Sequence, residues 1–342
     1  MPVETYIDLF LGKRLSTPII DVRSPAEFGK GHIPGAFNIP LFSDEERAVI
    51  GTLYVQNGKD DAVMKGLELV GPKMKNFVLE AKKIASDNRV LVHCWRGGMR
   101  SKSMAWLFEQ IGLKTTILKG GYKAYRNFVL DKINCQPDLI VIGGMTGSGK
   151  SEILRELKSN SEQVLDLEAL ANHKGSAFGA LGQPSQPTQE QFENNLFDEL
   201  WHLDLQKKIW IEDESFSIGR NQLPKRLFET MQQSPLIFIS VDRQSRINRL
   251  VSEYGCFSKD LLAESIKKIE KRLGYDQAKA ALEALNSDNF EAVADIALRY
   301  YDKAYQWQIQ NRKPESVTEV MAYSDDTAVI AKKICGIFTN IS

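Results

Sequence analysis

A single cysteine, Cys94, stands near the start of the segment HCWRGGMRS, residues 93–101, directly after the apolar run RVLV. Two arginines, Arg96 and Arg100, flank a pair of glycines in the loop that follows it. Guanidinium charge and the free N–H groups at a helix start both stabilise a thiolate, which is the nucleophilic form of cysteine. A glycine pair also lets neighbouring N–H groups converge on an anion. The loop therefore predicts a reactive thiol beside an anion site rather than a buried structural cysteine.

A second segment, LIVIGGMTGSGKSEIL at residues 139–154, has the spacing of a Walker A phosphate loop. An apolar strand pattern precedes it and a helix pattern follows it, which is the context that such loops require. Lys150 is expected to reach the outer phosphate, and Ser151 to hold Mg²⁺ if a metal is used. The motif predicts an anion site without choosing between a diphosphate and a nucleoside triphosphate. The predicted phosphate-binding residues are Gly144, Thr146, Gly147, Ser148, Gly149, Lys150 and Ser151.

Further charged residues in the second half are candidates for completing this site. The strand pattern KKIWIEDES ends in acidic residues. Glu212 or Asp213 could act as a general acid or base, or could bind a cation. The alternative is that these acids simply form an exposed strand end. Asp166 and Glu168 follow another short strand pattern. The histidines lack metal-ligand spacing, so no metal site is predicted. Three arginines at helical spacing form a candidate lid over phosphates, or simply a solvated basic face: Arg243, Arg246 and Arg249.

The elements that position the thiol loop are predicted to be those of an α/β unit with parallel strands. Apolar runs at residues 18–23, 89–94 and 114–121 have strand patterns, and residues 101–112 have the pattern of an amphipathic helix. Ligands bind beyond the carboxyl ends of such strands, which is where Cys94 lies. A polar insert with helical stretches separates the first two strands, at residues 43–76.

The phosphate loop is predicted to belong to a second α/β domain. The short connector CQPD places the boundary near residue 136, between a domain over residues 1–135 and one over residues 136–342. Residues 183–194 are predicted to be a polar loop lining a substrate cleft, and residues 260–311 to be helical almost throughout.

Composition sets the broad class of protein. The chain has 342 residues, 43% of them hydrophobic, which is enough for about two domains with real cores. Its formal net charge is zero, but residues 1–134 carry 20 Lys and Arg against 14 Asp and Glu, whereas the remainder carries 24 against 30. The basic front half permits a polyanionic partner. Four cysteines without a CxxC pair, a polar start and no apolar run of about 18 residues favour a cytoplasmic protein without a membrane span.

Three segments of the front half together resemble a rhodanese domain. They are DVRSPAEFGKGHIPGAFNIP, HCWRGGMRS and LKGGYKAYR, at residues 21–40, 93–101 and 118–126. The resemblance implies a loop cysteine that carries sulfur or selenium as a persulfide-type adduct, and Cys94 matches that position. The spacing from Cys94 to Arg100 also resembles that of rhodanese-fold phosphatases, in which the arginine grips a phosphate. The loop alone leaves both chemistries open.

The whole chain resembles the tRNA 2-selenouridine synthase family. The resemblance rests on a rhodanese domain followed by a phosphate loop, and on the segments EERAVIGTLY, DLEALANHKGSAFG, IEDES and RYYDKAY. It implies an enzyme that replaces the sulfur of 2-thiouridine, at the wobble position of certain tRNAs, by selenium. In that family the sulfur first receives a geranyl group from geranyl diphosphate. Selenium from selenophosphate then displaces the alkylated sulfur.

The resemblance assigns roles to the candidate residues. Cys94 carries selenium as S-selanylcysteine, Arg96 and Arg100 hold the phosphoryl group of selenophosphate, and the phosphate loop grips the diphosphate of the geranyl donor. No tightly bound cofactor is implied beyond these substrates, with Mg²⁺ left open. The prenyl chain needs an apolar channel. Four aromatic residues of the second half are candidates for it, although such residues more often form core: Phe178, Phe192, Phe197 and Trp201.

Three alternative functions compete with this interpretation. One is a P-loop small-molecule kinase with a regulatory rhodanese domain, for which the sequence shows no recognisable adenine-binding element. Another is a Cys-x5-Arg phosphatase, for which no general-acid Asp is evident near the loop. The third, a non-enzymatic sulfur carrier or tRNA-binding module, leaves the phosphate loop unexplained.

Overall fold

The computed structural model describes residues 2–310, 312, 314–322 and 327–339. The chain divides into two compact units. Unit 1 comprises Met1–Lys132 with Glu193–Asp198, and unit 2 comprises Ile133–Phe192 with Glu199–Ser342. Within the described part of the chain, no helix combines the length and the apolar character that crossing a bilayer requires.

Strands and helices alternate along most of unit 1. They are β1 (Val3–Thr5), α1 (Ile7–Lys13), β2 (Ile19–Asp21), α2 (Pro25–Lys30), β3 (Phe37–Asn38), α3 (Asp44–Gln56), α4 (Lys59–Val70), α5 (Met74–Ile84), β4 (Arg89–His93), α6 (Met99–Glu109), β5 (Lys114–Leu118) and α7 (Gly121–Lys132). Three helices follow one another between β3 and β4. The strands form one parallel sheet in the order β1-β5-β4-β2-β3. The predicted parallel α/β class is confirmed, and β4, which ends one residue before Cys94, is the central strand.

The predicted insert folds as two consecutive helices, α3 and α4. Ser43 caps α3, since its hydroxyl accepts from the N–H of Glu46 while the Glu46 carboxylate accepts from the N–H of Ser43. Gly58, with φ of 99°, turns the chain into α4. Although α3 contains several apolar side chains, none of its residues is fully buried. These two helices therefore leave apolar surface uncovered.

Unit 2 is built around a second parallel sheet. The remaining elements are β6 (Leu139–Gly144), α8 (Lys150–Ser159), β7 (Val164–Leu165), α9 (Leu167–Ala171), α10 (Gln189–His202), β8 (Ile209–Glu212), β9 (Ser217–Ile218), β10 (Asn221–Gln222), α11 (Lys225–Gln233), β11 (Leu236–Ser240), α12 (Arg243–Tyr254), α13 (Lys259–Leu273), α14 (Tyr275–Asn286), α15 (Phe290–Gln310), β12 (Val317–Met321) and α16 (Thr327–Thr339). Its strand order is β12-β11-β6-β8-β7, and the two-residue strands β9 and β10 pair as a separate antiparallel ribbon.

The phosphate motif lies where the sequence predicts it. Every residue of β6 is buried, and the strand passes directly through the glycine-rich loop into α8. The predicted helical region is confirmed as α13, α14 and α15, which pack around a shared apolar core. Asn311, the end of that prediction, lies outside the described residues.

One local prediction is wrong. Residues 183–194 were expected to form a loop, but α10 begins at Gln189. The hydroxyl of Thr188 accepts from the N–H of Gln191 at 3.0 Å, which is the first half of an N-terminal capping box. The polar composition of this segment reflects a capped helix start and not a loop.

Candidate functional site

Cys94 is shielded from bulk solvent and lines a large cavity. Its side chain is 3% exposed and packs with the core of unit 1. It also lines a cavity of about 1180 Å³, here called the thiol cavity, which lies between its loop and the helices α3 and α4. The thiol donates to the hydroxyl of Ser101 at 3.4 Å, and that hydroxyl donates to the carbonyl of Gly98 at 3.0 Å. Cys94 therefore borders a cavity on one side although its exposure is low.

The start of α7 fixes the backbone of the thiol loop. The N–H groups of Tyr122 and Lys123 donate to the carbonyls of Cys94 and Trp95, at 2.8 and 2.9 Å. Gly97 has φ of 66°, and a Cβ atom there would lie 2.6 Å from a backbone oxygen of β5. Only glycine fits this position. No side chain caps the N-terminus of α6, so its first N–H groups stay available to an anion.

The two predicted arginines of this loop differ in their surroundings. Arg96 is exposed and lines the thiol cavity. Arg100 also lines it, but its guanidinium donates to the Glu27 carboxylate at 2.7 Å. Burial alone would raise the pKa of Glu27, yet the hydrogen bonds and charge of Arg100 hold that pKa below its usual value. Glu27 therefore stays ionised and offsets part of the charge of Arg100.

A buried charge cluster that the sequence analysis did not single out lies at the neighbouring strand ends. The guanidinium of Arg23 donates to the Asp21 carboxylate at 2.9 Å and stacks 3.7 Å from the centre of the Tyr122 ring. His93 is fully buried, and its Nε2 atom lies 3.7 Å from the same carboxylate. Burial lowers the pKa of His93 despite the opposing charge of Asp21, which favours a neutral ring at pH 7. The motif DVR before a predicted loop was the available signal for this cluster.

The phosphate loop has the geometry of an anion site. Gly144, Gly147 and Gly149 have φ of 157°, 81° and 82°, values that favour glycine. The ammonium group of Lys150 donates to the Gly144 carbonyl at 2.9 Å and lies 3.6 Å from a carboxylate oxygen of Glu212. These residues line a cavity of about 910 Å³ in unit 2, here called the phosphate cavity. Lys150 is thus held at the loop by a carbonyl and a carboxylate, both of which a phosphate could replace.

Three buried carboxylates meet beside Ser151. Ligand oxygens of Glu168, Glu212 and Glu214 all lie within 4.8 Å of one another. The Ser151 hydroxyl contacts two of them, at 2.8 Å from Glu168 and 3.3 Å from Glu212. Burial raises the pKa of all three acids, that of Glu214 to about 8 and that of Glu212 well above its usual value. Oxygen ligands of this kind suit Mg²⁺, so these acids and the Ser151 hydroxyl are the residues that could hold one.

The structure separates the two acids that the sequence left as alternatives. Glu212 faces Lys150 and Ser151, as described above. The Asp213 carboxylate instead accepts from Arg312 at 2.8 Å and from the hydroxyl of Tyr305 at 2.8 Å. That hydroxyl also accepts from the N–H of Gly144 at 3.0 Å. Glu212 is therefore the acid beside the phosphate loop, whereas Asp213 positions the loop through Tyr305.

Only two of the three arginines of α12 contact the phosphate loop. Arg249 donates to the Gly147 carbonyl at 3.0 Å and lines the phosphate cavity. Arg246 is buried, donating to Asp302 at 2.7 Å and to the Thr146 carbonyl at 3.3 Å. Arg243 forms ion pairs with Asp295 and Asp302 of α15 instead. Among the three, Arg249 is the one placed to contact a bound anion.

The sequence analysis missed a cationic stretch of α13. Its segment KKIEKRLG lies in the region that was predicted only to be helical, but four of its side chains line the phosphate cavity: Lys267, Lys268, Lys271 and Arg272. The run of like charges was the available signal. Together with Lys150 and Arg249, these residues supply cations for an anionic ligand, although seven carboxylates also line the cavity.

The four aromatic candidates for an apolar channel do not share one location. Phe178 lines a narrow apolar cavity of about 60 Å³ that includes Thr146 of the phosphate loop. Phe192 and Phe197 are buried, and Phe197 packs edge-on against Tyr125 and Phe128 in unit 1. Trp201 is 40% exposed. Of the four, Phe178 is the residue beside the phosphate loop.

Each half of the chain matches a known protein family. Residues 7–128 match the rhodanese-like domain, and residues 137–332 match the family described as the tRNA 2-selenouridine synthase AAA domain. The second match covers more than half of the chain and includes the phosphate loop.

Curated relatives are similar over almost the full length. A tRNA 2-selenouridine synthase of Shewanella piezotolerans is 37% identical, over 86% of this chain and 89% of the relative. The enzyme of Shewanella sediminis is 33% identical, and the match covers 92% of each chain. That of Sulfurovum sp. is 38% identical, over 86% of this chain and 89% of the relative. The similarity spans both domains.

Proposed function

The chain belongs to the tRNA 2-selenouridine synthase family, and on this premise we propose that it exchanges the sulfur of wobble-position 2-thiouridine in tRNA for selenium in two steps. The observation that best supports the proposal is a thiol in a cavity lined by cations, in a chain that also carries an intact phosphate loop. Neither feature alone requires RNA chemistry. Together they match a reaction that uses one anionic alkyl donor and one anionic selenium donor. We place it in the cytoplasm.

The first step is alkylation of the thiocarbonyl sulfur by geranyl diphosphate. The sulfur forms a bond to the first carbon of the geranyl group, the carbon–oxygen bond to diphosphate breaks, and the base loses its N3 proton. Lys150 and the loop N–H groups stabilise the charge that develops on the leaving diphosphate. Arg249 and the cations of α13 extend this stabilisation. The narrow apolar cavity at Phe178 and Thr146 gives the start of the prenyl chain an apolar neighbour.

The second step replaces the alkylated sulfur. An alkylated sulfur leaves readily as a thiol, whereas a thiocarbonyl sulfur does not, so two easier steps replace one difficult step. As water cleaves the selenium–phosphorus bond, a disulfide takes up two electrons and selenium becomes bonded to the Cys94 sulfur. The outer selenium then attacks C2 of the base, and two thiols return the electrons when the sulfur–selenium bond breaks. Arg96, Arg100 and the uncapped start of α6 hold the phosphoryl group of selenophosphate. Overall, selenophosphate and one water molecule are consumed, while geranylthiol and phosphate are released.

Mass spectrometry of thiolated tRNA tests both steps. The full chain is incubated with geranyl diphosphate and selenophosphate, each omitted in turn. We expect S-geranyl tRNA when selenophosphate is absent, selenated tRNA when both donors are present, and no selenated tRNA from 2-thiouridine when geranyl diphosphate is absent. Selenation that proceeds equally well without geranyl diphosphate would contradict the two-step proposal.

Lys150→Ala tests the role of the phosphate loop. Removing the ammonium group takes away a donor to the leaving diphosphate, so geranyl transfer should slow by about a hundredfold. Selenation of tRNA that already carries the S-geranyl group should be unchanged. The control is Lys158→Ala, at the far end of the same helix. Normal geranylation by Lys150→Ala would show that the loop binds another ligand.

A further inference from the structure

The walls of the thiol cavity are apolar and poorly covered. Four apolar residues that line it are largely exposed: Tyr54 at 59%, Val55 at 83%, Leu67 at 62% and Met99 at 52%. Three of them lie on α3 and α4, the insert for which the sequence suggested no function. Exposed apolar side chains gathered around one cavity mark a binding surface more often than scattered ones do.

The same cavity carries charge of one sign. Its lining includes four cationic residues and no carboxylate: Arg47, Lys59, Arg96 and Arg100. Cys94 also belongs to this lining. The cavity therefore combines an apolar wall, a positive field and a thiol, which suits a ligand that has an apolar chain and negative charges at the reacting group.

Selenophosphate alone would not need such walls, because it is small and strongly anionic. In the second step, selenium forms a bond to C2 of the base, and the bond from C2 to the alkylated sulfur breaks. The leaving sulfur takes the electron pair and, after gaining a proton, departs as geranylthiol. Since that sulfur is bonded to the carbon under attack, its geranyl chain must lie beside Cys94.

We propose that the thiol cavity binds the geranyl chain of S-geranyl-2-thiouridine, with Arg47 and Lys59 holding the adjacent RNA phosphates. This inference rests on the proposed function and assigns α3 and α4 a role in it. The volume of about 1180 Å³ exceeds the roughly 300–1,000 Å³ of ordinary small-molecule pockets, so a base and a prenyl chain fit together. Holding the chain here selects the geranylated base over the unmodified one.

A matched pair of substitutions on α4 tests the proposal. Leu67 and Met64 are 62% and 68% exposed, but of the two only Leu67 lines the cavity. Both positions are on the surface, so Leu67→Glu and Met64→Glu should fold equally well. The substrates are anticodon stem-loop RNAs carrying S-geranyl- or S-methyl-2-thiouridine, with selenophosphate in excess. For Leu67→Glu we expect KM for the geranylated RNA to rise about tenfold, because a carboxylate would then adjoin the chain. KM for the methylated RNA should rise much less, because only repulsion between the new carboxylate and the RNA phosphates acts on it. Met64→Glu should resemble the wild type with both RNAs.

Binding of the same RNAs provides a readout that does not depend on turnover. The geranylated RNA should protect Cys94 from alkylation by iodoacetamide more strongly than the methylated RNA does. That difference should be lost in Leu67→Glu and kept in Met64→Glu. If the wild type shows this protection but converts neither RNA, the proposed function fails and the cavity assignment stands. If it converts both RNAs with the same KM and protection, the cavity assignment fails and the proposed function stands. Equal effects of the two substitutions would also overturn the assignment.

Discussion

At the residue scale, the surroundings of Cys94 combine burial with a place on a cavity wall. Its low exposure and its contact with Ser101 limit its access to bulk water, and its position on the cavity wall leaves one route for a ligand. A freely exposed thiolate would be oxidised readily, because susceptibility follows exposure and thiolate character. The burial of Cys94 therefore agrees with a carrier that meets its donor inside a cavity.

Cys94→Ser should separate the two steps. Serine keeps the approximate size of the side chain but cannot carry selenium, so selenated tRNA should be undetectable by mass spectrometry. Formation of S-geranyl tRNA should stay close to the wild-type rate, because the thiol has no part in alkylation. Cys256→Ser is the control, since that cysteine is free and exposed. Equal loss of geranylation and selenation would rule out this division between the sites.

We expect Glu214 to make the stability of the protein depend on pH. Burial raises its pKa from 4.5 to about 8, helped by the nearby charge of Glu168. Between these values the folded chain keeps a proton that the unfolded chain loses, so the free energy of unfolding falls as pH rises from about 4.5 to 8. Glu214→Gln cannot lose that proton. At pH 8 the variant should unfold at a higher temperature than the wild type, because its free energy of unfolding is expected to be higher by about 4 kcal/mol. Near pH 5 the two proteins should be similar.

Thermal unfolding followed by circular dichroism between pH 5 and 8 measures this effect. Glu291→Gln, an exposed acid at the start of α15, is the control and should leave the pH profile unchanged. The melting temperature of the wild type should fall between pH 5 and 8 relative to that of Glu214→Gln. If it does not, ionisation of the acid cluster does not lower the free energy of unfolding.

At the element scale, the helical tail of unit 2 helps to shape the phosphate loop. The Tyr305 hydroxyl, on α15, links the N–H of Gly144 to the Asp213 carboxylate at the end of β8. Arg312, beyond the end of α15, holds the other oxygen of Asp213. The segment RYYDKAY thus contributes to the site although it lies far from the loop in sequence.

Tyr305→Phe should weaken this support while leaving the packing intact. The change leaves the buried Gly144 N–H without its partner, which costs about 1–3 kcal/mol of unfolding free energy. KM for geranyl diphosphate should rise while kcat changes less, because the loop loses a positioning contact and no group that touches the diphosphate. Urea unfolding and steady-state kinetics measure the two effects, with Tyr275→Phe, on the exposed surface of α14, as the control. A stable variant with unchanged KM would show that the loop does not depend on Tyr305.

Elements with a strong local pattern were predictable from the sequence, and long-range contacts were not. Strand β6 and the loop after it follow from an apolar run and a glycine spacing, so Lys150 and Ser151 could be assigned directly. The choice between Glu212 and Asp213 could not be made, because adjacent residues at a strand end face different partners that only the fold supplies. Arg312 and Tyr305, which decide it, are distant in sequence. The helix start at Gln189 was missed because capping residues resemble loop composition.

At the scale of the whole molecule, the uneven distribution of charge favours RNA binding by the front half. Residues 1–134 carry an excess of six cationic residues, and four cations line the thiol cavity. Phosphate contacts release condensed counterions, so affinity for tRNA should fall steeply with salt. The zero net charge of the complete chain conceals this asymmetry, which becomes visible only when the halves are counted separately.

The salt dependence of tRNA binding by the full chain tests this view. If four cations contact phosphates, the affinity should fall about a hundredfold between roughly 50 and 200 mM salt. Lys59→Gln removes one exposed cation of the thiol cavity, so the slope of log K against log salt should become shallower by about one. Lys75→Gln, also exposed but outside the cavity lining, should leave the slope unchanged. Filter binding over a salt series measures the slope, and the same slope for all three proteins would place the RNA on another surface.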